Sequence, residues 1–137
     1  MGFQKIKRPV LAPRGMAVSP IQTLSSASTG TEITNYGVTT IWQSIIGTTD
    51  NSFALAAPVL GQEKTIFIQG GARKVTITCT GTDPFYGSTD TTSIVATSSA
   101  DDTKIATIKL VGVTSIQTLA TGLKWGAIYL STAIAYV

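Results

Sequence analysis

The chain has 137 residues, of which 43% are hydrophobic and only 12% are charged, with a formal net charge of +3. This length suits one domain, and the charged fraction is about half that of an average soluble domain. A single cysteine and no histidine exclude an internal disulfide, histidine-based catalysis and metal sites made of His and Cys. Threonine, valine and isoleucine dominate instead, which favours β-strands over helices.

The first 15 residues are predicted to form an extended arm. Pro9 and Pro13 oppose helix formation. The segment carries four basic residues and no acidic one, because the first acid of the chain is Glu32. Such an arm is either a solvated basic tail or a segment that docks on an acidic partner. Its apolar content favours docking, through Phe3, Lys5, Ile6, Lys7, Arg8 and Arg14. No nucleic acid is expected as the partner, because aromatic residues are not interleaved with these bases.

Three apolar segments follow in residues 16–60. Residues 16–24 are interrupted by Pro20, which predicts an edge strand. Residues 32–46 contain a β-branched run and are predicted to be a strand followed by a denser apolar stretch. Residues 53–60 include a proline and indicate either an edge strand or a packed, irregular segment.

The clearest alternation lies between residues 64 and 79. Lys64 to Ile68 and Lys74 to Cys79 are predicted strands, because apolar residues alternate with threonine in the second of them. The Gly70-Gly71 pair between them predicts a tight hairpin. Cys79 is expected to be a small buried side chain rather than a nucleophile.

The remaining chain predicts further short strands. Residues 81–92 form the longest loop, and strands are expected at 93–99, at 104–111 before Gly112, at 125–130 and at 132–137. A short strand at 116–119 is a further candidate. Short strands with frequent turns predict an all-β fold, an antiparallel β-sandwich or barrel-like domain covering residues 16–137.

No catalytic or cofactor site is predicted. The acidic residues lie mostly in turn-like segments, where aspartate is a common turn former, and the Asp-rich loops lack the spacing of a calcium-binding EF-hand. We therefore expect no enzyme activity, no metal and no cofactor. Neither a membrane span nor a secretion signal is visible, which favours synthesis in a reducing cytoplasm.

Three aromatic residues have two interpretations. Phe85, Tyr86 and Trp125 lie beside polar loops, where exposed rings could stack on sugars. The favoured alternative is that Trp125 anchors the core while Phe85 and Tyr86 pack at an interface.

The C-terminal half resembles β-rich modules of tailed bacteriophages. The resemblance covers roughly residues 61–130 and consists of the 64–68 and 75–78 strands, Phe85-Tyr86-Gly87, Ile108 to Val113, and Lys124 to Ile128. Such modules occur in capsid decoration (cement) proteins and in head and tail fibres, commonly as trimers.

The resemblance implies a non-enzymatic virion protein, assembled in the host cytoplasm, that binds the outer surface of a capsid and stabilises it. Its partners would be copies of itself, as a homotrimer, and the major capsid protein, gripped by the basic arm. The alternative is a head or tail fibre module that binds a host glycan or another virion protein.

Overall fold

The computed structural model describes residues 21–43, 50–69, 74–79, 85, 93–97, 105–114, 123–131 and 134–136. The predicted arm, Pro20, the Gly70-Gly71 turn and the 116–119 strand lie outside these residues, as does the 81–92 loop apart from Phe85.

The described residues are almost entirely β-strands. They form ten strands and one short 3-10 turn at Ser26–Ser28. The strands are β1 Ile21–Ser25, β2 Glu32–Ile33, β3 Gly37–Trp42, β4 Asn51–Leu55, β5 Glu63–Gln69, β6 Lys74–Cys79, β7 Ser93–Thr97, β8 Ile105–Thr114, β9 Leu123–Leu130 and β10 Ile134–Tyr136.

The strands form two five-stranded sheets. Sheet A has the order β1-β3-β5-β8-β9, and sheet B has the order β10-β7-β6-β4-β2. Neither order closes into a barrel over the described strands. The prediction of an all-β, sandwich-like fold is confirmed.

The first six strands form a parallel coil. The chain alternates between the sheets, so that β1, β3 and β5 pair in parallel in sheet A, and β2, β4 and β6 pair in parallel in sheet B. Parallel strands need a crossover connection, and here each crossover contains a strand of the opposite sheet. This coil packs successive turns in the manner of a short β-solenoid.

Buried side chains stack along the coil and explain its register. Leu24, Ile41 and Ile68 lie side by side in sheet A. In sheet B, Ile33 lies beside Leu55, which lies beside Cys79. A slip of one residue would turn each buried set outward, so the alternation fixes both sheets around one shared core.

The later strands complete both sheets by antiparallel pairing. Strand β7 pairs with β6, and β10 pairs with β7, while β8 pairs with β5 and β9 with β8. The expectation that the apolar C-terminal segment pairs is confirmed by β10. The predicted edge position of residues 16–24 is confirmed for β1, which ends sheet A.

Two expectations about strand pairing are wrong. The sheets are mixed rather than purely antiparallel, because the coil supplies parallel ladders. The predicted hairpin is not formed, since β5 lies in sheet A and β6 in sheet B. Both strands bury one face in the same core from opposite sides, so they are not hydrogen-bonded neighbours in one sheet.

Two expectations about strand position also need correction. The edge-strand alternative for residues 53–60 is wrong, because β4 lies between β6 and β2. The strand ends at Leu55, before Pro58, and residues 56–59 are irregular as the second alternative had it. Gly112 does not end β8, which continues to Thr114. A Cβ atom on Gly112 would lie 2.0 Å from the Val59 carbonyl oxygen, so this glycine allows a neighbouring main chain to approach.

Candidate functional site

The structure places two of the three predicted aromatic site residues in the core. Phe85 and Trp125 are both fully buried and are joined by an isolated β-bridge. The Trp125 indole Nε1 donates a hydrogen bond to the Ala56 carbonyl oxygen at 3.3 Å. These rings present no face to a sugar, which agrees with the core interpretation of Trp125. Their burial contradicts a glycan contact by either ring and an interface contact by Phe85. Tyr86 lies outside the described residues.

The predicted arm residues also lie outside the described part of the chain. They are Phe3, Lys5, Ile6, Lys7, Arg8 and Arg14. The docking role of this arm therefore stays a prediction.

The most distinctive surface consists of three rows of side chains on the outward side of sheet A, which we call the outer A face. Strand register arranges its side chains in three rows across the sheet. The rows are Ser25, Trp42, Gln69 and Ile105, then Thr23, Thr40, Phe67 and Thr107, then Ile21, Val38, Thr65, Lys109 and Tyr129.

Large apolar side chains are exposed on this face. Ile21 is 67% exposed, Tyr129 54%, Ile105 52% and Trp42 48%, while Phe67 is half-buried near the centre. Contiguous exposed apolar surface on a soluble protein commonly marks an interaction site. The outer A face therefore has the character of a surface that another molecule covers.

Charge is nearly absent from these three rows, although Glu63 and Lys124 lie just beyond them on the same side of the sheet. Lys109 is the only charged residue in the three rows, and its ammonium lies 3.9 Å from the carboxylate of Glu63 at the end of β5. Such an exposed pair contributes little to stability. Its effect here is to leave the face almost neutral.

The outward side of sheet B is different. Apart from the exposed Glu32 and Lys74 at strand ends, its described side chains are small and mostly hydroxylated, with Ser52, Thr76 and Val95 in one row and Thr78 beside Ser93 in the next. The Thr78 and Ser93 hydroxyl oxygens are 2.9 Å apart and hydrogen-bonded. The large exposed apolar side chains on described sheet positions thus lie on sheet A.

A buried lysine occupies the inner side of sheet A. Lys64 is fully buried, and its Nζ donates hydrogen bonds to Thr39 Oγ1 at 2.6 Å, to the Tyr36 carbonyl at 2.9 Å and to Thr34 Oγ1 at 3.0 Å. Thr39 Oγ1 in turn donates to Gln22 Oε1 at 2.9 Å. These bonds tie β5 to β3, to the segment before it and to β1.

Burial lowers the pKa of Lys64 from 10.5 to about 8, because an ammonium is poorly solvated there. Among the described residues, its hydrogen-bond partners are hydroxyl and carbonyl oxygens. The group therefore fits a structural tie between strands.

Cys79 is confirmed as a buried side chain at the end of β6. Burial raises the pKa of its thiol, and a hydrogen bond with the Trp125 side chain partly opposes that rise. A raised pKa keeps the sulfur protonated and poorly nucleophilic.

One open cleft lies at the start of β3 and β5. Its volume is about 360 Å³, and it is lined by Gly37, Val38, Gly61, Gln62, Glu63 and Thr65. Glu63 is the single titratable residue in this lining, so the cleft lacks the paired acid and base of general acid–base catalysis.

Sequence reasoning missed the outer A face, although a signal was present. In β5, Phe67 stands between Ile66 and Ile68, so both faces of this strand carry apolar side chains. If one face packs in the core, the apolar side chain on the other face lies at the surface or under another molecule. The alternation also placed Lys64 on the same side as Ile66 and Ile68, which is the core side.

Within the described residues, no group of three or more His, Cys, Asp or Glu side chains lies close enough together to hold a metal ion. That same part of the chain contains no helix long and apolar enough to cross a membrane. No protein-family model, curated protein or solved structure matches this chain.

Proposed function

We propose that this chain is a non-enzymatic structural protein of a virion, which binds the outer surface of a phage capsid and stabilises it as a decoration protein. The observation that carries the structural part of this proposal is the outer A face, which exposes large apolar side chains among hydroxylated ones and carries a single charge. An enzyme of this size would instead be expected to place titratable groups in a concave pocket.

The assignment to a capsid rests on the resemblance of residues 61–130 to phage modules and on the basic arm. A protein that binds an assembled shell but not its separated subunits stabilises the shell by mass action. The four bases before residue 15 suit an acidic shell surface, while the β-sandwich provides the rigid body that remains outside.

Co-sedimentation with empty capsid shells tests this proposal. The full chain is expected to sediment with shells encoded by the same genome, and removal of residues 1–14 is expected to abolish this binding while the strand content, measured by circular dichroism, is kept. A full chain that stays in the supernatant would contradict the decoration role.

A charge variant separates the arm's bases from its length. Replacing Lys5, Lys7, Arg8 and Arg14 together by serine is expected to weaken shell binding strongly and to reduce its salt dependence. Lys74→Ser, which removes an exposed base on the sandwich, serves as the control and is expected to bind normally. Equal binding by both variants would refute the role of the arm.

The fibre alternative receives less support. A glycan-binding module needs an exposed aromatic platform, and the burial of Phe85 and Trp125 removes two of the rings predicted for it.

A further inference from the structure

We propose that the outer A face binds the same face of another copy of this chain. The inference rests on the proposed structural role of that face and names its occupant. Sheets that pack face to face do so with side chains from both faces interdigitating about 10 Å apart, so the natural occupant of an apolar sheet face is a second sheet of similar character.

Charge selects a copy of the chain over other surfaces. The three rows contain one charged residue, Lys109, which Glu63 already neutralises in part. An acidic capsid surface would lose solvation against such a face and gain no opposite charges, whereas an identical face is equally neutral. Two copies therefore meet without like-charge repulsion and without leaving a strongly charged partner dehydrated.

The composition of the rows is self-complementary. Each outer row carries large apolar side chains among polar ones, Trp42 and Ile105 in one and Ile21, Val38 and Tyr129 in the other, whereas the middle row places Phe67 among threonines. Threonine hydroxyls both donate and accept hydrogen bonds, so a facing middle row can satisfy them. The described face of sheet B, with small hydroxylated side chains, offers far less apolar area for burial.

The area suits a weak, transient contact. The three rows contain thirteen positions, and each covers about 4.8 Å by about 6.6 Å of the sheet, which gives a face of about 400 Å². Two such faces bury about 800 Å² together, which lies in the range of weak, transient interfaces. The contact is thus expected to be reversible in dilute solution.

Matched lysine substitutions test the inference. Thr40 and Thr76 are both half-buried threonines on interior strands, on the outward sides of sheets A and B respectively. Light scattering after size exclusion is expected to approach twice the 14.3 kDa chain mass as concentration rises, for the wild type and for Thr76→Lys. Thr40→Lys brings a lysine from each copy into one contact and is expected to weaken association about 100-fold or more.

A second variant keeps the test decisive if Thr40→Lys does not fold. Ile105→Lys changes a side chain that is already half in water, so its folding is expected to be unaffected while its association weakens. A wild type that is monomeric at all concentrations, or Thr40→Lys and Ile105→Lys proteins that associate as well as Thr76→Lys, would overturn the inference.

Shell binding distinguishes this inference from the proposed function. If Thr40→Lys and Ile105→Lys leave the mass unchanged but abolish co-sedimentation with shells, the face binds the capsid and self-association through it is refuted while the decoration role stands. If the variants become monomers and the wild type never binds shells, the inference stands and the decoration role fails. A glycan that shields the face of a monomeric wild type would refute the inference, while co-sedimentation would still decide the decoration role.

Discussion

The buried ammonium of Lys64 makes a quantitative prediction about stability and pH. Its pKa is about 8 in the folded chain against 10.5 when it is unconstrained. Between these values the unfolded chain binds a proton that the folded chain has lost, so the free energy of unfolding rises with pH in this window. Below the folded pKa both states are protonated, and this contribution to the slope vanishes.

The magnitude follows from the shift. The full difference between the two pKa values corresponds to about 3 kcal/mol of stability. The free energy of unfolding regains about 2 kcal/mol of this between about pH 7 and about pH 9.5. The raised pKa of Cys79 acts in the opposite direction above its unfolded pKa, because the folded chain then holds a proton that the unfolded chain loses. A variant lacking only Lys64 is therefore needed to isolate the lysine.

Urea unfolding of the wild type and of Lys64→Met at both pH values supplies the assay. Met preserves most of the side-chain volume, and the wild-type stability minus the variant stability should increase by about 2 kcal/mol between the two pH values. Lys109→Met, which removes a lysine exposed to solvent, is the control and should show little such increase. An equal pH response in wild type and Lys64→Met would refute the account of Lys64.

Three further predictions concern packing. Gly112→Ala places a Cβ against the Val59 carbonyl and is expected to lower the free energy of unfolding in urea by about 3 kcal/mol. The control Gly30→Ala meets no atom within 4 Å but has φ +89°, and should cost about 1–2 kcal/mol. Equal costs would contradict the close approach at Gly112. Trp125→Ala should lower the free energy of unfolding by about 3–5 kcal/mol, and a near-neutral result would show that the ring is not in the core. Cys79 should react with a thiol reagent only as fast as the chain opens, and rapid labelling of the native protein would contradict its burial.

The sequence predicted the strands better than it predicted their partners. The alternation of Val75, Ile77 and Cys79 with threonine identified β6 and its buried face, because a period of two is a property of the strand itself. The pairing of β6 with β4 and β7 depends instead on the path of the whole chain. Gly70-Gly71 is compatible with a hairpin and with a crossing between sheets, and local residues alone do not choose between them.

The candidate site shows a similar division. The low charge indicated that part of the surface is covered in the working state, but composition gives no position for that part. Only the register of β1, β3, β5, β8 and β9 brings Ile21, Trp42, Phe67 and Ile105 onto one side of one sheet. Trp125 was interpretable in advance as a core residue, because a large aromatic ring within an apolar strand is usually buried.

The accessibility of Trp42 to acrylamide tests the central claim most directly. The chain has two tryptophans, and only Trp42 is exposed on the outer A face while Trp125 is buried. If a neighbouring chain covers this face, quenching of the exposed tryptophan should fall as the wild-type concentration rises, and Thr40→Lys should remain fully quenched. A Trp42 that is equally quenched at every concentration, and equally in the presence of capsid shells, would contradict the claim that this face works covered by protein.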